Sequence, residues 1–326
     1  MLDINRLQEY TQPVHSDLDL FEEKLSDYLR GDSPLISSIA RHLLKSRGKR
    51  IRPAFLFLSS RASDNYTEIS VDASLAIELI HTATLLHDDV VDESHLRRGQ
   101  KTVNAQWTNL ISVLMGDYLF AKAFRIMVDV NSMDLINAVS LATSRVSIGE
   151  LRQIEETGNY ALSEEEYLDI IADKTASLFN VSCEAGPILK KKNYSERRKF
   201  ASFGEKIGVA FQIVDDLLDF VGDAETIGKE PGNDVLTGKV TLPLIYSLKK
   251  VTVAGSRDII KQLKQGNEDS FRLVYDFVNE NGGIEYAYKK ADELCQRGLE
   301  SILPVSNSAY YESLTGMVKY TISRTS

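Results

Sequence analysis

The chain carries an acidic stretch in apolar surroundings, Leu85-Leu86-His87-Asp88-Asp89-Val90-Val91-Asp92. The same acidic pattern returns much later, in Phe211-Gln212-Ile213-Val214-Asp215-Asp216-Leu217-Leu218-Asp219. On a helix, the first and last aspartates of each copy are four residues apart and therefore share one face. Like charges on one face repel each other, and burying them is costly. Two such copies predict carboxylates that converge on a cation, and a magnesium–diphosphate cluster is the obvious candidate.

The composition is that of an ordinary folded protein, with 43% apolar and 26% charged residues in a chain of 326. A formal net charge of −9 argues against a nucleic-acid partner, because nucleic acids are bound by basic surfaces. Cys183 and Cys295 lie far apart without a CxxC pair, which indicates a reducing compartment and no zinc site. No signal peptide and no uncharged apolar run of membrane-span length can be recognised. We therefore expect a cytoplasmic protein, and peripheral membrane contact stays open.

Helical patterns dominate the chain, and the sustained alternation that predicts strands is absent. Ser33-Pro34 predicts the start of one helix, and Ser163 with Glu166 predicts a capping box at the start of another. Further helices are predicted at 71–91, 107–129, 134–157, 164–190, 195–221, 240–251, 256–265, 269–280, 284–302 and 307–322. No Gly/Ser-rich linker divides the chain, so we expect a single all-α domain over residues 1–326.

Each acidic motif is followed directly by a polar loop that carries cations, at 93–104 after the first and at 222–239 after the second. Loops at the rim of a rigid scaffold are where binding residues concentrate. A single DDxxD pattern is as often a solvated acidic helix face as a functional site. Two copies in apolar helices, each followed by a basic loop, argue against that interpretation. The missing EF-hand pattern argues against a calcium site.

Two clusters of cations are candidates for holding phosphate groups. Arg97 and Arg98 come shortly after the first acidic motif, and arginine binds phosphate in a bidentate fashion. The stretch Gly48-Lys49-Arg50-Ile51-Arg52-Pro53 places three cations before a helix start, where backbone N–H groups already favour an anion. The Walker spacing is absent, so this stretch is not a P-loop. Each cluster is also compatible with ordinary solvated charges.

Further polar residues have an ordinary structural explanation when each is taken alone. Lys174 and Thr175 could grip a phosphate together, although a surface lysine in a mainly apolar helix is the simpler explanation. The same holds for three other residues, Gln212, Lys229 and Lys239.

Three residues precede the first motif on the same predicted helix. His81 lies about two turns before Asp88 on roughly the same face, but a lone histidine is more often a hydrogen-bonded core residue than a ligand. Ala83 and Thr84 have small side chains one turn below Asp88. They leave open space at that depth, or they permit ordinary packing against a neighbouring helix.

Taken together, these residues resemble the trans-isoprenyl diphosphate synthase (polyprenyl synthetase) family, in its long-chain type of octaprenyl and heptaprenyl diphosphate synthases. The resemblance runs from residue 48 to about residue 250, and the carrying motifs are specific in combination. They are the Gly48–Pro53 stretch, the first acidic motif with Arg97-Arg98-Gly99, Lys174-Thr175, Gln212 with the second acidic motif, Gly228-Lys229 to Gly232-Asn233-Asp234, and Gly238-Lys239-Val240-Thr241-Leu242-Pro243. Arg47 departs from the pattern, because many members have a second glycine there.

The resemblance implies a homodimer with the isoprenoid synthase type I fold, a single large helical bundle around a deep central cavity. It implies three magnesium ions, two bound by Asp88 and Asp92 and the third by Asp215. The allylic diphosphate would be held by Arg97, Lys174, Lys229 and Lys239, with Thr175 and Gln212 lining the same site. Isopentenyl diphosphate would be held by Lys49, Arg52, His81 and Arg98.

The implied reaction begins when the allylic diphosphate ionises, because Mg²⁺ and cationic side chains stabilise the leaving group. The double bond of isopentenyl diphosphate then attacks the carbocation, and a proton is lost to the released diphosphate. In family terms, aromatic residues just before the first motif stop chain growth early. Ala83 and Thr84 are not aromatic, so we expect a product of about C30 to C40, with octaprenyl favoured, for a quinone side chain.

Other readings stay open at this point. The chain could be a short-chain synthase that makes farnesyl or geranylgeranyl diphosphate, or the catalytic subunit of a heteromeric long-chain synthase. A terpene cyclase is disfavoured, because it does not need a second site, such as Lys49, Arg52 and Arg98, for a non-ionising diphosphate. A non-catalytic structural partner is disfavoured by the two intact acidic motifs.

Overall fold

A computed structural model of the chain describes residues 2–31, 33–45, 48–64, 66–221, 232–264, 268–305 and 308–323. The expected phosphate ligand Lys229 and the departure at Arg47 lie outside these residues. The α-helices are Leu2–Thr11, His15–Tyr28, Pro34–Lys45, Ile51–Ala62, Ile69–Val91, Val103–Gln106, Asn109–Val130, Met133–Glu155, Glu164–Ile171, Ser177–Leu189, Tyr194–Val221, Asn233–Leu236, Leu242–Lys250, Val253–Leu263, Glu268–Glu280, Gly283–Ser301 and Ala309–Ser323. Shorter elements are two 3₁₀ segments, Gln12–Val14 and Leu303–Val305, a π-helical segment, Ala172–Ala176, and two strands, Leu96–Arg97 and Gln100–Lys101.

The expectation of an all-α protein is confirmed, and the predicted helices agree with the observed ones within a few residues at most ends. Both helix starts read from the sequence are also confirmed. Ser33 Oγ accepts a hydrogen bond from the backbone N–H of Ile36 at 3.2 Å. Ser163 and Glu166 form the reciprocal capping box at the start of Glu164–Ile171. The local signals therefore fix the starts of these two helices.

A short hairpin in the loop after the first motif is the exception to the expectation that strands are absent. Leu96 pairs with Lys101, and Arg97 pairs with Gln100. The two residues between them, Arg98 and Gly99, both have positive φ, at 53° and 72°. That combination is typical of a type I′ turn, whose twist suits two antiparallel strands. Two-residue strands are too short to produce the alternation by which strands are recognised in a sequence.

Internal contacts divide the chain into two compact units, which are described separately. The first unit comprises Met1–Thr143, Leu178–Gly204 and Ser301–Met317, and the second comprises Ser144–Ser177, Glu205–Glu300 and Val318–Ser326. The first acidic motif lies in the first unit and the second acidic motif in the second unit. A single domain over residues 1–326 stays a prediction.

The helix Ile69–Val91 is the central element of the first unit. It packs mainly along Asn109–Val130 and also contacts Ile51–Ala62 and His15–Tyr28. Its middle part, residues 73–80, is buried, and partial exposure begins at His81, in the part that leads to Asp88. Among the described residues it is the one helix that is long and apolar enough to cross a membrane, and 67% of its apolar window is buried inside the protein. We therefore interpret it as a core helix.

The second unit places its acidic motif in the same manner. Residues 205–221 form the C-terminal part of the long helix Tyr194–Val221, and Ile213, Val214 and Leu217 on it are fully buried. Near this helix, Gly149 lies against the π-helical segment Ala172–Ala176, where a Cβ atom would clash with the backbone of Lys174. The missing side chain of Gly149 thus allows the close approach that positions Lys174 and Thr175.

Candidate active site

The first acidic motif ends the helix Ile69–Val91, and its three aspartates differ in exposure. Asp88 is half-buried, Asp89 is only 3% exposed, and Asp92 is exposed as the residue that follows the helix. Negative side chains near the C-terminus of a helix meet the negative end of its dipole, in addition to repelling each other. This arrangement is unfavourable unless a cation binds there, and exposed carboxylate oxygens are ligands of the kind that Mg²⁺ prefers. The donor set at Asp88 and Asp92 therefore fits the expected magnesium.

The middle aspartate of the first motif is turned towards the hairpin that follows. Arg97 Nε donates to Asp89 Oδ1 at 2.8 Å, and the backbone oxygen of Asp89 accepts from Ser94 N at 2.9 Å and from Asn104 Nδ2 at 3.1 Å. Burial raises the pKa of Asp89, against the lowering effect of the Arg97 guanidinium. Asp89 thus holds the loop to the helix end. Arg97, expected to bind the allylic diphosphate, uses one of its five N–H donors in this contact.

Four residues expected near isopentenyl diphosphate cluster in the first unit. Arg52 Nη1 lies 3.0 Å from His81 Nε2, and the Arg98 guanidinium lies against Gly48, where a Cβ atom would be 2.8 Å from Arg98 Nη1. Burial lowers the pKa of Arg98, and the neighbouring Arg97 lowers it further. Cations packed this closely together favour an anion in their midst. The structure therefore brings together Arg52, His81 and Arg98, and the fourth residue, Lys49, is exposed and directly follows Gly48.

The protonation state of His81 follows from its neighbours. Burial lowers its pKa well below the usual range, and the charges of Arg52, Arg98, Arg97 and Arg50 lower it further. Because an arginine can only donate, Nε2 of His81 must accept the bond from Arg52. The ring is then neutral with its proton on Nδ1. His81 can thus contribute one donated hydrogen bond to an anion, but no charge.

Arg50 has a structural role that the sequence pattern did not distinguish from those of Lys49 and Arg52. It takes the left-handed conformation, with φ of 50°, directly before the helix Ile51–Ala62. Its guanidinium bonds to Glu22 at 2.6 Å and to Glu78 at 3.0 Å. Against the lowering effect of burial, these two carboxylates raise the pKa of Arg50. Only two of the three cations in this stretch therefore remain as candidates for the anion site.

The second acidic motif exposes just one of its three aspartates. Asp215 is exposed, Asp216 is 7% exposed and Asp219 is fully buried. Asp219 Oδ2 accepts from the backbone N–H of Asp234 at 2.9 Å, and its backbone oxygen accepts from Gly232 N at 2.8 Å. Asp219 therefore anchors the chain that returns at 232–236. The exposed carboxylate of Asp215 matches the expectation that this motif supplies a single metal ligand.

Neutral hydrogen-bond donors surround Asp216. Tyr167 Oη donates to Asp216 Oδ2 at 2.6 Å, and Gln212 Nε2 donates to Asp216 Oδ1 at 2.7 Å. Burial raises the pKa of Asp216 to about 7, with a further rise from the charge of Asp234, although both hydrogen bonds act in the opposite direction. Burial also raises the pKa of Tyr167 well above its usual range, so its hydroxyl keeps its proton and donates.

Lys174 and Thr175 lie on the π-helical segment Ala172–Ala176, an element often found at functional sites. Lys174 Nζ is 2.6 Å from Glu150 Oε2 and also donates to Gln153. Thr175 Oγ1 donates to Gln212 Oε1 at 2.7 Å. The structure therefore joins Thr175 and Gln212 directly, and a diphosphate at Lys174 would have to compete with a carboxylate. Lys239 lies further out in this unit, 3.9 Å from Asp234.

The two residues expected to limit product length occupy different environments. Ala83 is fully buried, whereas Thr84 is half-buried and donates to the backbone oxygen of His81 at 2.8 Å. Helical spacing puts Thr84, and not Ala83, on the face of His81 and Asp88. Their effect on chain length stays a prediction.

Sequence reasoning missed several residues that hold the site in place. Tyr167, Glu150 and Gln153 carried no functional signal in the sequence. The capping box at Ser163 was the one available clue, because it fixes the helix on which Tyr167 lies.

Comparisons with known proteins identify the family that the chain resembles. A family model described as polyprenyl synthetase matches residues 33–278. The all-trans-nonaprenyl-diphosphate synthase (geranyl-diphosphate specific) of Rhodobacter capsulatus is 36% identical over 320 residues, 97% of this chain and 98% of that protein. The octaprenyl diphosphate synthase of Escherichia coli (strain K12) is 32% identical over 319 residues, 98% of this chain and 99% of that protein.

A solved structure is similar over nearly the full length. It is the polyprenyl synthase from Caulobacter crescentus CB15, complexed with calcium and isoprenyl diphosphate. The TM-score is 0.92 at 31% identity, with 99% of this chain and 98% of that chain covered. The helical fold expected from the resemblance is thereby confirmed.

Proposed function

The chain belongs to the polyprenyl synthetase family, and we propose that it is a long-chain trans-prenyl diphosphate synthase. As a prenyltransferase it joins isopentenyl diphosphate to an allylic diphosphate. The observation that carries this proposal is the pair of acidic motifs at the ends of apolar helices. In the first motif the outer aspartates Asp88 and Asp92 reach the solvent, and in the second only Asp215 does. The middle aspartate of each motif is buried and hydrogen-bonded.

Asp88, Asp92 and Asp215 are the proposed ligands of Mg²⁺, in three ions. When bound, these ions would neutralise the negative charge of the diphosphate leaving group. The aspartates themselves contribute hard oxygen ligands held at fixed helix positions. Their middle neighbours, Asp89 and Asp216, are hydrogen-bonded away from the metal ligands and keep the helix ends in place.

The cationic residues divide between the two substrates. We assign Arg97, Lys174, Lys229 and Lys239 to the allylic diphosphate, and Lys49, Arg52, His81 and Arg98 to isopentenyl diphosphate. The neutral state of His81 suits it to donate a hydrogen bond through Nδ1, while the arginines supply the charge. This division supports a reaction in which one diphosphate leaves and the other is retained.

Bond formation passes through a carbocation, which electronegative oxygen atoms stabilise. Thr175 and Gln212 are the proposed contributors, because their side chains are hydrogen-bonded to each other beside Lys174. After the new carbon–carbon bond forms, a proton leaves the intermediate, and the released diphosphate is the proposed acceptor.

The proposed product is an all-trans chain of about C30 to C40, with octaprenyl favoured, for a quinone side chain. Small side chains at Ala83 and Thr84 support growth beyond the short-chain stage. We also propose a cytoplasmic location, with peripheral membrane contact for the release of so apolar a product.

A homodimer is supported by an exposed apolar face on the helix Asn109–Val130. Leu110, Leu114, Phe124 and Val128 are each more than half exposed and recur at helical spacing along one side. Contiguous apolar surface of this kind marks an interaction site, since monomeric proteins rarely expose it. A second copy of the chain is the proposed occupant, and sedimentation of the purified protein tests it.

One assay tests the main proposal. The purified chain alone is incubated with Mg²⁺, labelled isopentenyl diphosphate and an allylic primer, and the products are separated by chromatography. We expect products of about C30 to C40 from the wild-type chain, none from Asp88→Ala, and shorter ones from Ala83→Phe. Farnesyl or geranylgeranyl products from the wild type would favour the short-chain alternative. Activity only after addition of a small partner protein would identify the catalytic subunit of a heteromeric enzyme.

A further inference from the structure

Hydrogen bonds link four side chains of the second unit in a continuous row. Tyr167 Oη donates to Asp216 Oδ2 at 2.6 Å, Gln212 Nε2 donates to Asp216 Oδ1 at 2.7 Å, and Thr175 Oγ1 donates to Gln212 Oε1 at 2.7 Å. Tyr167, Asp216 and Thr175 are all buried, at 3%, 7% and 7% exposure. The row therefore starts in the core at Tyr167 and ends at a residue already proposed to face the reacting carbocation.

The row has a fixed direction. In its ionised form Asp216 can only accept hydrogen bonds, and the side chain of Gln212 then presents its NH₂ group to it. The amide oxygen of Gln212 then faces Thr175 and accepts its hydroxyl proton. With its proton committed in this way, the Thr175 hydroxyl presents only lone pairs to any further group. An oxygen that presents lone pairs stabilises positive charge, whereas one that presents its proton opposes it.

Tyr167 itself is held firmly. Its helix, Glu164–Ile171, begins with the capping box of Ser163 and Glu166. The first residue of that helix is bound twice, since Tyr286 Oη donates to Glu164 Oε2 at 2.8 Å and Lys290 Nζ donates to Glu164 Oε1 at 2.5 Å. A hydroxyl group in so rigid a setting provides a fixed reference point for the carboxylate that it contacts.

We propose that Tyr167 is a positioning residue for prenyl transfer, which acts through Asp216 to fix the orientation of the Gln212 amide and thereby of the Thr175 hydroxyl. The inference rests on the proposed function and extends it to a residue that does not contact either substrate. Without the Tyr167 hydroxyl, one oxygen of Asp216 loses its donor inside the protein. The carboxylate can then turn, and the Gln212 amide is no longer restricted to one orientation.

The test compares Tyr167→Phe with Tyr286→Phe in the full-length enzyme. Both substitutions remove one tyrosine hydroxyl that donates to a carboxylate in the second unit, but only Tyr167 belongs to the row. We expect Tyr167→Phe to lower kcat roughly tenfold or more, because small misplacements of groups near the reacting atoms have effects of that size. KM for isopentenyl diphosphate should stay unchanged. Tyr286→Phe should keep the wild-type kcat, because Lys290 still binds Glu164 and the capping box still fixes the helix start. Tm is recorded for both variants.

A double-mutant cycle with Thr175→Val separates positioning from a general loss of structure. If Tyr167 acts through Thr175, Tyr167→Phe should have little further effect on kcat in the Thr175→Val background. Equal fold-losses in both backgrounds would overturn the proposal, as would an unchanged kcat in a folded Tyr167→Phe enzyme. A higher Mg²⁺ requirement as the sole effect would overturn it too, because Tyr167 would then act on Asp215.

Three outcomes of these experiments can be told apart. If Tyr167→Phe does not fold, Gln212→Glu removes the donor to Asp216 from the other side, and wild-type kcat in that variant would overturn the proposal. If the wild-type enzyme itself shows no prenyl transfer, the proposed function fails. If the wild type is active and Tyr167→Phe is equally active, only the role of Tyr167 fails.

Discussion

The two acidic motifs have the same pattern of aspartates but use it differently. In the first motif Asp88 and Asp92 are solvent-accessible, and only the middle aspartate is buried. In the second motif Asp215 alone is exposed, because Asp219 is fully buried and binds the backbone N–H of Asp234. Which aspartates can reach a metal is therefore decided by the segment that follows each motif. A hairpin follows the first and leaves Asp92 outside, whereas the returning chain at 232–236 encloses Asp219.

The surroundings of the two motifs also carry opposite charge. Near the first motif, burial lowers the pKa of His81, and the charges of the arginines gathered there lower it further. Near the second motif, burial and the charge of Asp234 raise the pKa of Asp216 to about 7. A titratable side chain is pushed towards its neutral form in each unit, chiefly by burial, with a contribution from arginines in one and from an aspartate in the other. The arginines around His81 suit that part of the first unit to hold an anion, and the hydrogen bonds to Asp216 orient polar groups in the second.

Removal of the first aspartate of either motif should have the largest effect. Asp88→Asn and Asp215→Asn should each lower kcat about 100- to 1000-fold, the range seen when a group that stabilises transition-state charge is lost. Tm should stay equal or rise, because repulsion at the helix ends is relieved. Steady-state kinetics and thermal denaturation measure both quantities.

The exposed carboxylate of Asp129 provides the control for that experiment. Asp129→Asn also neutralises a helical aspartate, but away from the motifs, and should keep wild-type kcat. An Asp88→Asn or Asp215→Asn enzyme within tenfold of wild type would refute the metal assignment for that residue.

The last aspartates test the difference between the motifs directly. Asp92→Ala should lower kcat about tenfold with little change in the free energy of unfolding, because Asp92 is exposed. Asp219→Ala should lower the free energy of unfolding by about 1–3 kcal/mol, because it leaves a buried N–H at Asp234 without its acceptor. Urea denaturation and kinetics on both variants check that Asp92→Ala mainly loses activity and Asp219→Ala mainly loses stability. If the two variants lost equal stability, the assigned difference between the motifs would be wrong.

A smaller effect is expected for the ion pair of the first motif. Arg97→Met should destabilise the enzyme by about 1 kcal/mol, because Asp89 is left buried without its guanidinium partner. Asp89→Asn in the same chain should recover part of that loss. Chemical denaturation of the two single variants and the double variant gives the coupling energy. A coupling energy of zero would mean that Arg97 does not hold Asp89 in solution.

The sequence predicts the positions of the two acidic motifs on their helices well, because that information is local. Two DDxxD patterns in apolar helices place Asp88 and Asp215 at helix ends without any knowledge of the tertiary structure. Contacts between distant segments could not be obtained in this way. Asp92 and Asp219 have the same position in their motifs, and only the contact with Asp234 distinguishes them.

Two further features escaped the sequence for physical reasons. The π-helical segment Ala172–Ala176 interrupts the α-helical period, so the depth of Thr175 relative to Tyr167 cannot be read from residue spacing. Arg50 looked like a ligand among three cations, but Glu22 and Glu78, which bind it, lie 28 residues away on either side. Charge alone did not show which cations already had partners.

His81 offers the most subtle test of the contrast between the two units. Because its pKa is lowered in the folded state, the unfolded chain binds a proton more readily once the pH falls below the ordinary histidine value of about 6.5. Its contribution to stability is therefore fully present above that pH and is lost as the pH falls below it. His81→Gln keeps a neutral group that can accept from Arg52. Its free energy of unfolding, measured by urea denaturation at about pH 7.5 and at about pH 5, should therefore decline less than that of the wild type. If the free energies of unfolding of the wild type and of His81→Gln declined in parallel, burial and the arginines would not hold His81 neutral. The cationic character assigned to the first unit would then need another explanation, whereas the row of neutral donors around Asp216 would be unaffected.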